Sequence, residues 1–309
     1  RSVGGDAARR KARQMISDWI QSYGRWHPVI WSPTVLARRV SAWVGFYNFF
    51  ASSADDYFRY HFNAALAAQA KHLIRVFPAN LDGLDRIHAL KGVLYAHICL
   101  PISSVSEDKI FNLIEHESAA QIWQDGVHIS RCPSKHLDAF MLFIDIRNLL
   151  RGAKVPVPNM FNEIINKMAA ALKFFRHGDG RLAVFEGGVE DQELRIDTAL
   201  TQSGYKGKVA HSARQSGYAR LSMGRTNIIM DIGPEGPDIK KWKSPNAIEL
   251  SVGKQRLFVN CGNSLFQSRY TDALNRSVAY SSLSIDEEDA NFKNYPSLDV
   301  EPRNFTVHD

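Results

Sequence analysis

The sequence predicts an α+β protein in which a helical part precedes a β part. Through the first 175 residues, apolar positions recur with the three- to four-residue spacing of amphipathic helices. After the segment KFFRHGDG the pattern changes to short alternating stretches that are separated by turns. Helices followed by strands favour two packed domains over alternating β/α units. We therefore predict an α-helical domain over residues 1–175 and a β domain over residues 176–309.

The helical part is predicted to be a series of helices joined by short polar connections. In AARRKARQMISDWIQSYG, Ile16 and Trp19 share one face, and Gly24 marks the end. In SPTVLARRVSAWVGFYNFF, Ser32 and Pro33 form a typical helix start. Five further helical segments follow: SADDYFRYHFNAALAAQAKHLIRVF, DRIHALKGVLYAHICL, SEDKIFNLIEHESAAQIW, SKHLDAFMLFIDIRNLL and NMFNEIINKMAAALKFF. This succession indicates paired antiparallel helices.

The β part is predicted from alternating stretches and from two hairpin turns. The turns are MGRT and VGKQ, each of which contains a glycine between two apolar stretches. The predicted strands lie in RLAVFEGG, YARLSMGRTNIIMDIGPEGP, NAIELSVGKQRLFVNCG and SVAYSSLSID. Short connections between neighbouring strands predict an antiparallel sheet.

Composition and charge limit the classes of function. The chain has 309 residues, 45% of them hydrophobic and 23% charged, which is typical of a folded globular protein. Its longest apolar runs are too short to span a bilayer, and the beginning of the chain has no apolar signal-peptide core and no initiator methionine. The net charge of +6 favours acidic partners. Nucleic acid is disfavoured because no helix-turn-helix, RNA-recognition or OB signature is present.

Cysteine usage indicates free thiols. Cys99, Cys132 and Cys261 are too few and too scattered for a disulfide framework, and none belongs to a CxxC pair. No Gly-rich phosphate loop, zinc spacing or GxSxG elbow is present. We therefore expect no cofactor, while the oligomeric state and the compartment stay open.

Several segments together resemble a known family. In chain order they are RSVGGDAARRKAR, GRWHPVIWSPTVLARRVSAWVGFYNFF, QDGVHISRCP, LKFFRHGDGRLAVFEGG, SGYARLSMGRTNIIMDIGP, IELSVGKQRLFVNCG and RSVAYSSLSID. This order resembles the heparinase II/III-like family in its alphaproteobacterial form. The resemblance implies an incomplete (α/α) toroid of antiparallel helices followed by an antiparallel β-sandwich. It also implies a protein truncated at both ends, and a location in the periplasm or cell envelope.

The same resemblance implies two functions. Family enzymes are lyases that cut uronic-acid-containing polysaccharides by β-elimination, in a cleft between toroid and sandwich. The reaction needs a group that neutralises the uronate carboxylate, a base for the C5 proton and an acid for the leaving oxygen. The alternative is a catalytically degenerate relative that binds an anionic glycan, or envelope-polysaccharide machinery, without cleavage. Both make an anionic polysaccharide the expected partner.

The stretch QDGVHISRCPSKH supplies the candidate residues of the helical part. The resemblance implies a tyrosine where this chain has Lys135. His128 and His136 are then the catalytic candidates, while Arg131 and Lys135 are candidates for holding a substrate carboxylate. The alternative is an ordinary polar loop whose side chains bond to nearby carbonyl groups.

The β part departs further from the family pattern. The resemblance implies histidines where this chain has Trp242 and Tyr280, and a metal-binding aspartate where it has Asn260. We therefore expect no metal in the sandwich, because zinc needs several converging N, S or carboxylate ligands. Tyr280 is the third catalytic candidate; the alternative is a tyrosine that packs.

Further substrate-binding candidates lie along the whole chain. Each has an ordinary alternative, such as a helix-surface amide, a turn residue or a packed ring. They are Asn63, Trp26, Trp31, Arg176, His177 and His211.

Overall fold

The structure is a computed structural model that describes residues 5–77, 81–101, 106–210, 212–233, 246–262, 271–274 and 276–282. Its helices are α1 (Asp6–Tyr23), α2 (Pro33–Gly45), α3 (Tyr47–Phe50), α4 (Asp56–Val76), α5 (Gly83–Cys99), α6 (Glu107–Gln121), α7 (Pro133–Gly152), α8 (Asn159–Phe174), α9 (Glu193–Ser203) and α10 (Thr271–Leu274). Its strands are β1 (Ser212–Ala213), β2 (Tyr218–Met223), β3 (Thr226–Asp231), β4 (Ile248–Val252) and β5 (Gln255–Phe258). A 3₁₀ turn spans Ser277–Ala279.

The described strands form one antiparallel sheet in the order β1-β2-β3-β4-β5. The two predicted hairpin turns are confirmed: Gly224 joins β2 to β3 and Gly253 joins β4 to β5, both with positive φ. The α+β fold class, an array of helices followed by an antiparallel sheet, is therefore confirmed, with the short α10 lying after the sheet.

Two local predictions differ from the structure. The predicted strand RLAVFEGG (181–188) forms only a single bridge between Leu182 and Arg176, and this prediction was wrong. Residues 193–203, which lie in the predicted β domain, form α9 instead. This helix buries Ile196 and Ala199 and ends at Gly204 in the left-handed conformation.

The directions of the helices define two ends of the helical layer. Arg38 near the start of α2 pairs with Asp85 near the start of α5 at 3.7 Å, and Val44 and Cys99 near their C-terminal ends line one pocket. The two helices are therefore parallel. In contrast, the C-terminal end of α6 meets the start of α5, where the Gln121 side chain donates to the Gly83 carbonyl at 3.0 Å.

We call the end where α5 begins the junction end, because the sheet meets the helices there. The Arg220 guanidinium of β2 donates to the Arg176 carbonyl, just beyond α8, at 2.9 Å. The opposite end, where α5 ends and α4 begins, is the far end. Since α5 has 17 residues, the two ends are about 25 Å apart.

A single apolar core continues from the helical layer into the sheet. Phe175, just after α8, contacts the ring of Tyr218 on β2 edge to face at 4.9 Å. Phe185 contacts the same ring at 5.3 Å. Because such aromatic contacts are buried, the two layers are packed as one unit at the junction end.

No helix in the described ranges is both long and apolar enough to cross a membrane.

Candidate functional site

The loop before α7 folds back onto the helical layer at the junction end. Its two arms are joined by a bridge between Ile122 and His128. Gly126 turns the chain with φ +86, and a Cβ at this position would lie 2.3 Å from the Lys167 carbonyl oxygen of α8. The turn therefore requires glycine both for its conformation and for its close contact with α8.

Arg131, a predicted substrate-binding residue, lies inside the protein with 1% of its surface exposed. Its guanidinium donates to the Ser216 carbonyl at 2.8 Å, to the Glu186 carboxylate at 3.2 Å and to the Asp231 carboxylate. It also lies 4.7 Å from the ring centroid of Tyr218. The Arg131 guanidinium, which was expected to hold a substrate carboxylate, therefore binds carboxylates of the protein itself.

The backbone at Arg131 is also fixed by a contact with the protein. Its φ is +57, which is uncommon for a residue with a side chain. The Tyr218 hydroxyl donates to the Arg131 carbonyl at 2.8 Å, and burial raises the pKa of Tyr218 well above its usual range. We call Arg131, Glu186, Asp231 and Tyr218 the arginine latch.

The two histidines of the loop, His128 and His136, are buried beside the arginine latch. The His136 ring contacts the Met168 carbonyl through Nε2 at 2.9 Å and accepts from the His128 backbone N–H through Nδ1 at 3.3 Å. Burial lowers the pKa of His136 to about 4. The Nδ1 of His128 lies 2.8 Å from the Ser130 hydroxyl. Both nitrogens of His136 therefore contact the protein.

Lys135, at the position where the resemblance implies a tyrosine, is partly exposed in the first turn of α7. Among the candidates in the stretch 124–136, it is the residue whose side chain is accessible from the junction end.

His177 forms a second buried cluster between the layers. Its Nε2 lies 2.8 Å from Glu249 of β4, and its Nδ1 lies 2.8 Å from the Ser251 hydroxyl. Glu249 also accepts from the backbone N–H groups of Val184 at 3.0 Å and Asn260 at 3.1 Å. Because these groups satisfy one another away from solvent, the cluster joins the sheet to the segment after α8.

Arg176 faces α9. Its guanidinium pairs with Asp197 at 2.7 Å and donates to the Gly180 carbonyl at 2.8 Å. Tyr280 is 6% exposed, and burial, with a further contribution from Glu186, raises the pKa of its hydroxyl far above the ordinary value. Arg176 is therefore held by groups of the protein, whereas the Tyr280 hydroxyl is buried away from solvent.

The described side chain at the expected metal-ligand position is not a typical zinc ligand. Asn260, at the expected metal-ligand position, is 5% exposed, and its side-chain oxygen accepts from the Ser281 N–H at 2.8 Å. Over the described ranges no group of three or more histidine, cysteine or acidic side chains is arranged to hold a metal. Trp242 lies outside the described residues, as does the substrate-binding candidate His211.

Asn63 is not brought together with the other candidates. It is exposed on α4 and lines a pocket of about 590 Å³ at the far end. The length of α5 separates that pocket from Arg131 by about 25 Å.

The two tryptophan candidates have different environments. Trp31 is 8% exposed; its indole N–H donates to the Tyr23 carbonyl at 3.1 Å, and its ring packs on His72 at 5.4 Å. This packing fixes the loop between α1 and α2 against the C-terminal part of α4, which lies at the junction end. Trp26 is 65% exposed on the same loop.

Arg25 and His27 flank Trp26 and are also exposed. We call Arg25, Trp26 and His27 the exposed triad. Arg25 was not among the predicted site residues, although GRWHP places a cation directly beside an aromatic ring. That adjacency is the sequence signal that could have identified it.

An open pocket of about 530 Å³ beside α9 is lined mainly by acidic side chains, among them Asp179, Glu190, Asp191 and Glu193. Several of these already pair with arginines; Arg256 contacts Asp179 at 2.9 Å. Because carboxylates repel a uronate, this pocket does not suit an acidic substrate.

Comparisons with known proteins agree with this architecture. Residues 10–202 match the family described as heparinase II/III N-terminus. The chain belongs to the heparinase II/III family. Residues 206–296 match the description heparinase II/III-like, C-terminal. The predicted family is therefore confirmed.

Solved structures of this family share the fold. A crystal structure of heparinase III matches with a TM-score of 0.76 and 16% identity, over 91% of this chain and 51% of that chain. The heparan sulfate lyase HepC from Pedobacter heparinus matches with a TM-score of 0.66 and 17% identity, over 91% of this chain and 50% of that chain. The chain has a polysaccharide lyase-like fold.

A curated relative is the FtsZ-localized protein C of Caulobacter vibrioides (strain NA1000 / CB15N). It is 29% identical over 269 residues, which are 84% of this chain and 46% of that protein. The chain thus spans about half the length of the relatives it matches.

Proposed function

We propose that this chain is a family member that binds an anionic glycan at the junction end without cleaving it. The observation that carries the proposal is the burial of Arg131, His128 and His136 in contacts with the protein itself. β-Elimination needs an acid and a base within hydrogen-bond reach of the substrate.

The energetics argue against catalysis by these groups. A neutral imidazole whose pKa has fallen to about 4 is a weak base for a C5 proton. Freeing Arg131 for a uronate would break its buried ion pairs with Glu186 and Asp231. Breaking a buried ion pair in this way costs about 3–5 kcal/mol. The binding free energy of the substrate carboxylate would have to offset this cost.

Glycan binding is supported by the exposed triad. The guanidinium of Arg25 can hold a carboxylate or sulfate through two parallel hydrogen bonds. The exposed ring of Trp26 offers a flat apolar surface on which the face of a sugar ring can stack. The net charge of +6 adds long-range attraction for a polyanion. Lys135 is a partly exposed cation at the same end of the molecule.

A second candidate is assembly with a protein of the cell envelope or division machinery. The observation that favours it is the Caulobacter vibrioides relative, which is named for its localization with FtsZ. Co-sedimentation of this chain with FtsZ polymers tests this candidate separately from glycan binding.

Two measurements test the proposal. Ultraviolet absorbance of unsaturated uronate is recorded with heparin, heparan sulfate, chondroitin sulfate, hyaluronan and alginate, with a heparinase III as the positive control. Binding of the same glycans is measured by biolayer interferometry at low and high salt. We expect no new absorbance, together with binding that weakens as salt increases.

Matched variants locate the binding surface. Arg25→Ala and Trp26→Ala should each weaken glycan binding, the former by about tenfold to a hundredfold because a charge-assisted contact is lost. Tyr57→Ala is the control, since Tyr57 is 77% exposed at the start of α4, at the far end. Uronate absorbance above the enzyme-free blank would contradict the non-cleaving function. Equal affinities of all three variants would contradict the exposed triad as the binding surface.

A further inference from the structure

We propose that the far-end pocket binds a neutral, largely apolar small molecule. The pocket has a volume of about 590 Å³ and is formed by α2, α3, α4 and the C-terminal end of α5. Small-molecule sites typically measure about 300–1,000 Å³. The volume is therefore large enough to accommodate a ligand of two or three rings, or a medium-length acyl chain.

The lining determines the polarity of the ligand. Among the described residues that line the pocket, none carries a charge. Leu66, Ala67 and the ring of Tyr47 contribute apolar surface. An ionised ligand would lose its hydration here without gaining a partner, which is costly. The site therefore selects against the uronates and sulfates that suit the exposed triad.

Two amides supply the polar part of the site. Asn48 and Asn63 line the same pocket, and each can both donate and accept hydrogen bonds. A few placed polar groups within an apolar lining are typical of sites that fix the orientation of a ligand. The ligand class is thus a neutral aryl or acyl compound with one hydrogen-bonding end, such as an amide, an aromatic amine or an alcohol.

This site is separate from the candidate glycan surface. About 25 Å of α5 lie between the pocket and the junction end. Asn63, one of the predicted substrate-binding candidates, lines this far-end pocket. The inference is independent of the proposed function, since it concerns a different ligand class and a different end of the molecule.

The first test uses the neutral fluorophore N-phenyl-1-naphthylamine, whose emission increases in an apolar site and whose N–H can bond an amide oxygen. We expect saturable binding by the parent chain. Ala67→Trp fills the pocket and should weaken binding by at least about tenfold. Ala68→Trp is the matched control, because Ala68 is the next residue of α4, is exposed and does not line the pocket.

The second test needs no change in the pocket. Cys99 lines the pocket and Cys132 is buried, so Cys261→Ser leaves Cys99 as the accessible thiol. Saturating N-phenyl-1-naphthylamine should slow maleimide labelling of Cys99 in this variant by about tenfold. The readout measures occupancy even if Ala67→Trp fails to fold.

Two results would overturn the inference. One is an unchanged labelling rate of Cys99 under saturating fluorophore. The other is a folded Ala67→Trp variant, judged by circular dichroism, that binds the fluorophore as tightly as the Ala68→Trp control.

Discussion

Replacing Arg131 with methionine should destabilise the protein by about 3–5 kcal/mol. Methionine keeps an unbranched apolar chain in place but removes the guanidinium. Glu186 and Asp231, which are 7% and 1% exposed, would then lose their buried ion pairs with Arg131. Breaking a buried ion pair from one side typically has a cost of this size. Since small domains have about 5–15 kcal/mol of total stability, the loss would be a large fraction.

The assay is urea unfolding followed by circular dichroism, with the free energy of unfolding obtained by linear extrapolation. Arg25→Ala is the matched control, because it removes an exposed arginine and should change stability by less than about 0.5 kcal/mol. Adding Asp231→Asn to Arg131→Met should restore part of the loss, since it removes a buried charge whose ion pair with Arg131 has been broken. A double-mutant cycle over the two positions measures their coupling.

The result that would refute this reasoning is a loss below about 1 kcal/mol for Arg131→Met with an unchanged denaturant slope. Such a value would mean that Arg131 is hydrated and that its carboxylate contacts contribute little, as for surface pairs. Arg131 would then again be a candidate for binding a substrate carboxylate.

Two further predictions concern the helical layer. Because burial holds the pKa of His136 at about 4 while an unfolded histidine titrates near 6.5, the unfolded state takes up the proton first. Stability should fall as pH decreases through that window, by up to about 3 kcal/mol, and His136→Gln should lose this part of the slope in urea titrations at several pH values. Gly92→Ala should destabilise by about 1–3 kcal/mol in thermal unfolding, because its Cβ would lie 2.6 Å from Ala37 on α2. Gly45→Ala is the control, with its nearest contact 3.8 Å away at Tyr95, and equal melting temperatures of the two variants would contradict the packing argument.

Local sequence signals predicted the fold where a single element carries its own pattern. Gly224 and Gly253 mark hairpins because each turn needs a positive φ that glycine adopts without strain. The change from helical to alternating spacing predicted that strands follow helices, but the first strand begins only at Ser212, after α9. The segment 181–188 was wrongly predicted to be a strand. Its Val184 N–H donates a hydrogen bond to the Glu249 side chain rather than to a neighbouring strand.

The candidate site was harder to predict, because its contacts join residues that are far apart in the sequence. Arg131 meets carboxylates that lie 55 and 100 residues further along. Nothing in QDGVHISRCPSKH indicates that Glu186 and Asp231 converge on it. The residue types were informative about chemistry, since a guanidinium does hold carboxylates here. Whether those carboxylates belong to a substrate or to the protein depends on tertiary packing.

Under the proposed function, the position of the arginine latch gives a physical reason for glycan binding without catalysis. A substrate carboxylate that competes for Arg131 must displace Asp231 and Glu186, which are held at the site by the sheet and by the core around Tyr218. The competing groups are therefore already positioned, whereas a glycan must lose its freedom of motion on binding. At the exposed triad no carboxylate of the described residues forms an ion pair with Arg25, whose side chain is exposed at the junction end. We therefore expect a glycan at this end to bind Arg25 on the loop between α1 and α2. The arginine latch, and the contact that it makes between the helices and the sheet, should then stay unchanged.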